Sequence, residues 1–341
     1  MIEFFAEYGL FLLKALTIVG AIVVVVGTIT ATGRRAAMHD GLEIEHLNKK
    51  YQAMANALKR AALKKADWKA QAKADKKKTK TDSKSADRRP RSFVINFKGD
   101  LKATAVTSLR EEVSAILEVA TPEDQVIVCL ENHGGIVHEH GLAASQFVRI
   151  RDQGIPLLVS VDKVAASGGY LMACVANKII AAPFAILGSI GVIAQLPNFN
   201  RMLDEHGIDF EIITAGQYKR NVTIFGKNTD EDRAKLKDEL EDVHTLFKDV
   251  VGRYRENMDL EKVATGEHWY GTRALELGLV DELKTSDELL AKLAKDRDLY
   301  RVNYTIKQSL PKRILANVDA LLEKADATNW RRRFESRLPR S

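Results

Sequence analysis

Apolar residues in the middle of the chain come in short runs, each followed by a stretch with helical spacing. FVINF (93–97) precedes a helical pattern over about 104–120, and QVIVCLE (125–131) precedes one over about 138–152. PLLVSVD (156–162) leads into a third that starts near Ser167. This βαβαβα rhythm predicts an α/β fold, a mainly parallel sheet with helices on both faces. Reactive groups in such sheets gather beyond the carboxyl ends of the strands. Two of those exits read 131-ENHGG-135 and 162-DKVAASGG-169.

Further along, 179-IIAAPFAILGSIGVIAQL-196 is long enough to mimic a membrane span, but Pro183, Gly188 and Gly191 cut it into strand-sized pieces. It is expected to be buried sheet. Residues 229–257 form a charged amphipathic pattern, a long helix. The segment 266-GEHWYGTRALELGLVDEL-283 reads as helix, turn and strand, with Gly278 as the C-cap. In 311–325, Ile314, Leu315, Val318, Leu321 and Leu322 share one helical face, and a basic tail follows.

The N-terminal pattern is different in kind. From Gly9 to Ala31, 23 residues carry one charge, Lys14. At about 1.5 Å per residue that length spans a hydrocarbon core of roughly 30 Å. Glu3 and Glu7 precede the run and Arg34-Arg35 follow it, which favours a retained anchor over a cleaved leader. Beyond it, Ile44, Leu47, Tyr51, Met54, Leu58 and Ala61 fall at a/d spacing, the mark of a short amphipathic stem. Residues 73–91 are polar and of low complexity, and disorder is expected there. The expected organisation is a tail (1–8), a transmembrane helix (9–31), a basic linker (32–91), an α/β domain (92–310), and a C-terminal helix with its tail (311–341).

Charge sharpens this division. The chain holds 52 Lys/Arg against 46 Asp/Glu, a net of +6, yet residues 34–91 alone hold 18 against 7. The basic character therefore belongs to the linker, where anionic lipid headgroups are the natural partner. Nucleic acid is not expected, because no aromatic interleaving or recognition motif accompanies the lysines. The same charges lie on the C-terminal side of the apolar run, and the positive-inside rule favours a cytoplasmic position for the large domain. The two cysteines, Cys129 and Cys174, lie in apolar runs and read as buried thiols. His133, His138 and His140 cluster, but without cysteines or an H-E-x-x-H they do not make a metal pattern, and no metal is expected.

Ser167 raises the chemical question. It is either a helix cap or a nucleophile held at a turn, and its surroundings are not the G-x-S-x-G elbow. A serine nucleophile needs a base, and no histidine lies in a motif suited to partner it. A lysine kept neutral by burial is the alternative. Most lysines here lie on charged faces. Lys219, in 211-EIITAGQYKRNVTIFG-226, instead follows an apolar strand pattern and a glycine turn. Backbone amides in the two glycine-containing turns would serve a developing oxyanion.

The order of the motifs N-H-G-G, V-A-A-S-G-G-Y, G-S-I-G-V and A-G-Q-Y-K resembles the S49 serine peptidases, the signal peptide peptidase A family. The resemblance covers nearly the whole chain and is strongest over 92–285. It implies Ser167 as nucleophile and Lys219 as general base, with Tyr218 and Arg220 flanking the base. It implies Gly135 and Gly168 as oxyanion donors, with Gly134 as a further candidate. It also implies a ClpP/crotonase-like fold, homo-oligomeric assembly, a peptide or protein substrate and no cofactor. The family's signal-peptide-degrading members work on the periplasmic side, opposite to the reading from charge. One departure stands out: Asn132-His133 replaces the family's Ser-Pro before the paired glycines. Two other readings share this fold, an inactive membrane scaffold and a crotonase-like acyl-thioester enzyme without a serine nucleophile. No adenine-nucleotide pocket motif supports the latter.

Overall fold

The structure is a computed structural model that describes residues 9–21, 41–64, 66–68, 89–216 and 218–306. Residues 9–21 are helical. The rest of the expected span, to residue 31, lies outside the described residues, as do most of the 73–91 linker and the whole 311–341 segment. No helix among the described residues is long and apolar enough to cross a membrane. Two compact units emerge, Glu43–Tyr304 and a second that takes in both chain ends. The larger one carries the site.

Its centre is a mixed sheet whose main path runs β1-β10-β2-β3-β4-β6-β9. The strands are β1 (Gly41–His46), β2 (Arg91–Gly99), β3 (Gln125–Asn132), β4 (Leu157–Val161), β6 (Lys178–Ala181), β9 (Glu282–Leu283) and β10 (Asp298–Thr305). From β10 to β9 every pairing is parallel, as the alternating pattern predicts. A branch leaves this path at the end of β3. There Asn132 pairs with Gly99 of β2 and also with Ala165 of β5 (Val164–Ala166). β5 pairs in parallel with β7 (Ile186–Gly188), which pairs antiparallel with β8 (His268–Tyr270). The fork is what opens a cleft at the carboxyl end of β3.

Period-two alternation assigns the strand residues to two cores. Phe93, Ile95, Phe97, Val126, Val128 and Leu130 pack on one face, beneath α2 (Val106–Leu117), α3 (Val137–Asp152) and α4 (Gly168–Ala173). Val94 and Ile127 point the other way, onto Leu289 and Leu290 of α9 (Ser286–Leu293) and onto Leu47. Leu47 opens α1 (Leu47–Ala62) and is fully buried. Asn48 beside it donates to the carbonyls of Ala294 and Arg297 and accepts from the amide of Leu299. The amphipathic stem is thus a helix whose first turn docks within the Glu43–Tyr304 unit through Leu47 and Asn48, while Met54 and Leu58 farther along are exposed.

The 179–196 run follows its expected course only in part. β6 and β7 are buried sheet, but beyond Gly188 the chain leaves the sheet, and Ile193 is 75% exposed. Glycines at 188 and 191 stop the ladder, so the apolar residues after them have no strand to pair with. Two short helices follow, α5 (Asn200–Glu205) and, later, α7 (Leu260–Val263). Between them runs the long α6 (Asp230–Tyr254). It starts at a capping box, in which Thr229 accepts from the Asp232 amide and the Asp232 carboxylate accepts from the Thr229 amide. α8 (Gly271–Glu276) ends at Leu277, and Gly278 follows at φ 76°, the left-handed position a C-capping glycine takes.

Candidate active site

Ser167 occupies the single residue between β5 and α4. Its backbone sits at φ 52° and ψ −122°, a region that non-glycine residues avoid and that is stored only when the surroundings over-determine it. They do so here. The Ser167 amide donates to Gly188 O at 2.8 Å, and its carbonyl accepts from the amides of Tyr170 and Leu171. The side chain forms no cap hydrogen bond with α4. A plain N-cap would make one, so the hydroxyl is left at the apex of a strand–turn–helix.

The ENHGG turn faces it. A Cβ on Gly134 would lie 2.7 Å from Ser167 Cβ and 2.9 Å from Gly168 N, so only glycine lets the two turns meet. Gly134 also adopts φ 87°. A Cβ on Gly135 would strike Leu101 O at 2.2 Å. The two turns give three candidate amides, and they are not equivalent. Gly134 N–H donates to Asn132 Oδ1 at 2.8 Å and is spent within its own turn. The amides of Gly135 and Gly168 make no hydrogen bond among the described residues. Of the three candidate amides, Gly134 N–H is therefore engaged within the turn, while those of Gly135 and Gly168 are open.

Ser167 opens onto two hollows. The larger, a cleft of about 900 Å³, is lined by His133, Ser189, Thr265 and one face of α6. The smaller, about 190 Å³, is walled by Leu171, Val192, Val243, Leu246, Phe247 and Val250 and is almost wholly apolar. His133, left without a role by the motif comparison, lies exposed on the cleft wall. His138 is exposed and His140 is buried, so the three histidines of the cluster point into different surroundings.

Lys219 makes no hydrogen bond to Ser167 among the described residues. Its side chain is exposed and lines neither hollow, and its amide closes a turn onto Gly216 O at 3.1 Å. Tyr218 and Arg220 are exposed beside it, and Lys235 Nζ sits 5.0 Å from the centre of the Tyr218 ring. The apolar residues expected as a strand before it form no strand. Ile208, Phe210, Ile212 and Ile213 are exposed to different degrees, Ile213 by 94%. Without a sheet edge to join, the segment is only partly covered: Phe210 packs on Phe225 at 5.7 Å between ring centres, while Ile213 stays exposed.

Several wall residues went unnoticed in the sequence. Lys237, Leu240, Glu241 and His244 all face the cleft from α6, at a helical i, i+3, i+4, i+7 spacing. The spacing is visible in the sequence, but nothing there says that this face lies over the serine. Ser189, a second serine at φ 52°, shares the wall and donates its amide to Glu267 O. Its signal was the G-S-I-G stretch.

The two cysteines lie apart, and neither is at the site. Cys174 is buried and Cys129 half-buried, and burial pushes both thiols up, to about 12 and about 11.

Comparisons with known proteins identify the family. The family model "Peptidase family S49 N-terminal" matches residues 3–147, and "Peptidase family S49" matches residues 149–300. A "Probable protease SohB" from Haemophilus influenzae is 44% identical over 90% of this chain and 90% of its own. The protein of the same description from Buchnera aphidicola subsp. Acyrthosiphon pisum is 53% identical over 66% of this chain and 67% of its own. A "Putative signal peptide peptidase SppA" from Enterococcus faecium is 29% identical over 51% of each. With both S49 models together covering most of its length, the chain belongs to peptidase family S49 and is a serine-type peptidase.

Proposed function

We propose that this chain is a membrane-anchored endopeptidase of ClpP/crotonase-like fold that cleaves peptides or membrane-associated protein segments through an acyl-enzyme on Ser167. The observation that carries the reading is the strained Ser167 turn, set against two amides that make no hydrogen bond among the described residues, at the mouth of a cleft. Ser167 Oγ attacks the scissile carbonyl carbon while its proton passes to the neutral amine of Lys219. The oxygen, now negative, accepts from the amides of Gly135 and Gly168. Collapse of the tetrahedral intermediate breaks the C–N bond, and the protonated lysine returns its proton to the departing amine. Water then attacks the ester, again losing a proton to Lys219, and Ser167 is regenerated.

The apolar hollow beside Ser167 favours an apolar side chain next to the scissile bond. For Lys219 to act, its segment must close on the cleft. Assembly of several copies through the exposed apolar surface around Ile193 and Ile213 is the step that would bury this surface and bring the amine to the hydroxyl. The anchor rests on the 9–31 run, with lipid headgroups facing the basic linker. A fluorophosphonate probe tests the reading on the full chain in detergent. Labelling confined to Ser167 is expected, and no labelling would favour a scaffold or an acyl-thioester enzyme.

A further inference from the structure

Beneath the nucleophile turn lie two fully buried polar side chains that take no part in the acyl transfer itself, Asn132 and His140. Asn132 is the last residue of β3, at the fork of the sheet. Its Oδ1 accepts the Gly134 amide at 2.8 Å, and its Nδ2 reaches Met172 Sδ at 3.3 Å. The neighbouring backbones are cut to admit it. A Cβ on Gly99 would lie 2.5 Å from Asn132 Cγ, and one on Gly169 would lie 2.3 Å from Asn132 O.

His140 comes from the first turn of α3. Its Nδ1 lies 2.9 Å from Ile136 O and its Nε2 lies 3.2 Å from Asn132 Oδ1. A carbonyl can only accept, and Asn132 Oδ1 also takes the N–H of Gly134, so the contact between His140 and Asn132 requires the proton on Nε2. The flat side of the ring carries a second contact. A Cβ on Gly168 would meet His140 Cγ at 2.5 Å. One side chain therefore touches both halves of the site, Gly168 directly and the Gly134–Gly135 turn through Asn132. Burying two polar groups here is costly unless both are satisfied, and an apolar residue would fill the same space more cheaply.

We propose that His140 and Asn132 form a positioning relay that fixes the Gly134–Gly135 turn against Gly168, so that the amides of Gly135 and Gly168 converge beside Ser167 Oγ. The Asn132 carbonyl holds Gly134 N–H inside the turn, and His140 holds that carbonyl in place. The inference rests on the peptidase reading above. It also gives the Asn132-His133 departure a chemical reason: asparagine at this position has an amide oxygen for His140 to hold.

The test separates a positioning role from a packing one. His140→Gln places an amide N–H near the former Nε2, whereas His140→Asn places one near the former Nδ1. His140→Phe keeps the ring volume and neither nitrogen. Each full-length variant is inactivated with a fluorophosphonate, whose phosphoryl oxygen occupies the oxyanion site. Wild type is expected to label at Ser167. His140→Phe and His140→Asn are expected to lose about 10- to 100-fold in the maximal inactivation rate with the half-saturating probe concentration little changed, the mark of a lost transition-state contact. His140→Gln is expected to stay within about threefold of wild type, and amide exchange at Gly134 to quicken about tenfold in His140→Phe.

A His140→Phe chain that reacts and exchanges like wild type would overturn the relay. So would equal losses in His140→Gln and His140→Asn, a comparison that still decides should His140→Phe fail to fold. A wild-type chain that takes up no probe at Ser167 overturns the peptidase reading instead, and is told apart by that alone.

Discussion

At the scale of single residues, the site depends on atoms that must be present and atoms that must be absent. Ser167→Ala and Lys219→Ala are each expected to abolish nearly all turnover of a fluorogenic peptide. Hydroxyl and amine act as a unit, so the double variant should be scarcely worse than either single one. Substantial cleavage by Lys219→Ala would remove the lysine from the mechanism and turn attention to His133, on the cleft wall. The glycines act by omission. Gly168→Ala drives a methyl into the His140 ring at 2.5 Å, and both residues are buried with no room to move apart. Overpacking of this kind costs about 1–3 kcal/mol. Gly168→Ala is expected to lower the urea midpoint and the labelling rate together, while Gly154→Ala, at φ 70° with nothing within 4 Å of its Cβ, should lower the midpoint alone and leave labelling intact.

At the scale of elements, the second helix carries an ionisable group in an awkward place. Glu112 of α2 is 4% exposed, and burial pushes its carboxyl up to about 7 against an ordinary 4.5, although it accepts the Tyr304 amide at 2.8 Å. Below pH 4.5 both the folded and the unfolded chain hold this proton and nothing is lost. Between 4.5 and about 7 the unfolded chain releases it and the folded chain does not, so stability falls as pH rises. Above 7 the loss is complete, on the order of 3 kcal/mol at about 1.4 kcal/mol per unit. Glu112→Gln keeps an acceptor for Tyr304 and removes the charge. It should flatten the urea midpoint between pH 5 and pH 8 and raise it at pH 8. An unchanged pH dependence would mean that water or a neighbour already stabilises the carboxylate. Asp124 behaves in the opposite sense. Burial raises it, but the paired Arg91 guanidinium and the Thr121 amide outweigh this and hold it well below the usual carboxylate range.

At the scale of the whole molecule, apolar surface and charge make two further predictions. Phe184, Ile193 and Ile213 are 84%, 75% and 94% exposed, a great deal for large apolar side chains. Full-length protein in detergent is expected to sediment as a closed homo-oligomer. Ile213→Asp should shift it toward monomer and reduce labelling of Ser167 without changing the unfolding midpoint. Sedimentation as monomer at micromolar concentration would count against assembly. The second prediction concerns sidedness. Arg34, Arg35, Lys49 and Lys50 follow the apolar run, and no basic residue precedes Lys14 within it. The catalytic domain is therefore expected in the cytoplasm. A fluorescent protein that matures only there, fused after Ser341, should be bright, and an alkaline phosphatase fusion silent. The reverse pattern would place Ser167 in the periplasm, as the family's signal-peptide-degrading members suggest.

Local patterns were enough for much of this protein. Strands β2, β3 and β4, the helices after them and the capped α6 are written in periodicity and capping residues, because which face of each element is apolar is set by its own residues. The order of four short motifs was enough to place the chain in its family. Other features depend on residues far apart in the chain, and no local pattern holds them. The docking of Leu47 joins it to Val94 and Ile127, and to Leu289 and Leu290 of α9 at the far end of the chain, so the stem looked like a free linker. Which glycine amide is spent and which is open follows from Asn132 Oδ1 reaching Gly134, a side-chain geometry set by the fork in the sheet. The absence of Lys219 from the lining of both hollows beside Ser167 has the same cause. Its segment was read as a strand from its apolar residues, but a strand needs a partner edge, and whether one exists is decided only when the whole sheet has formed.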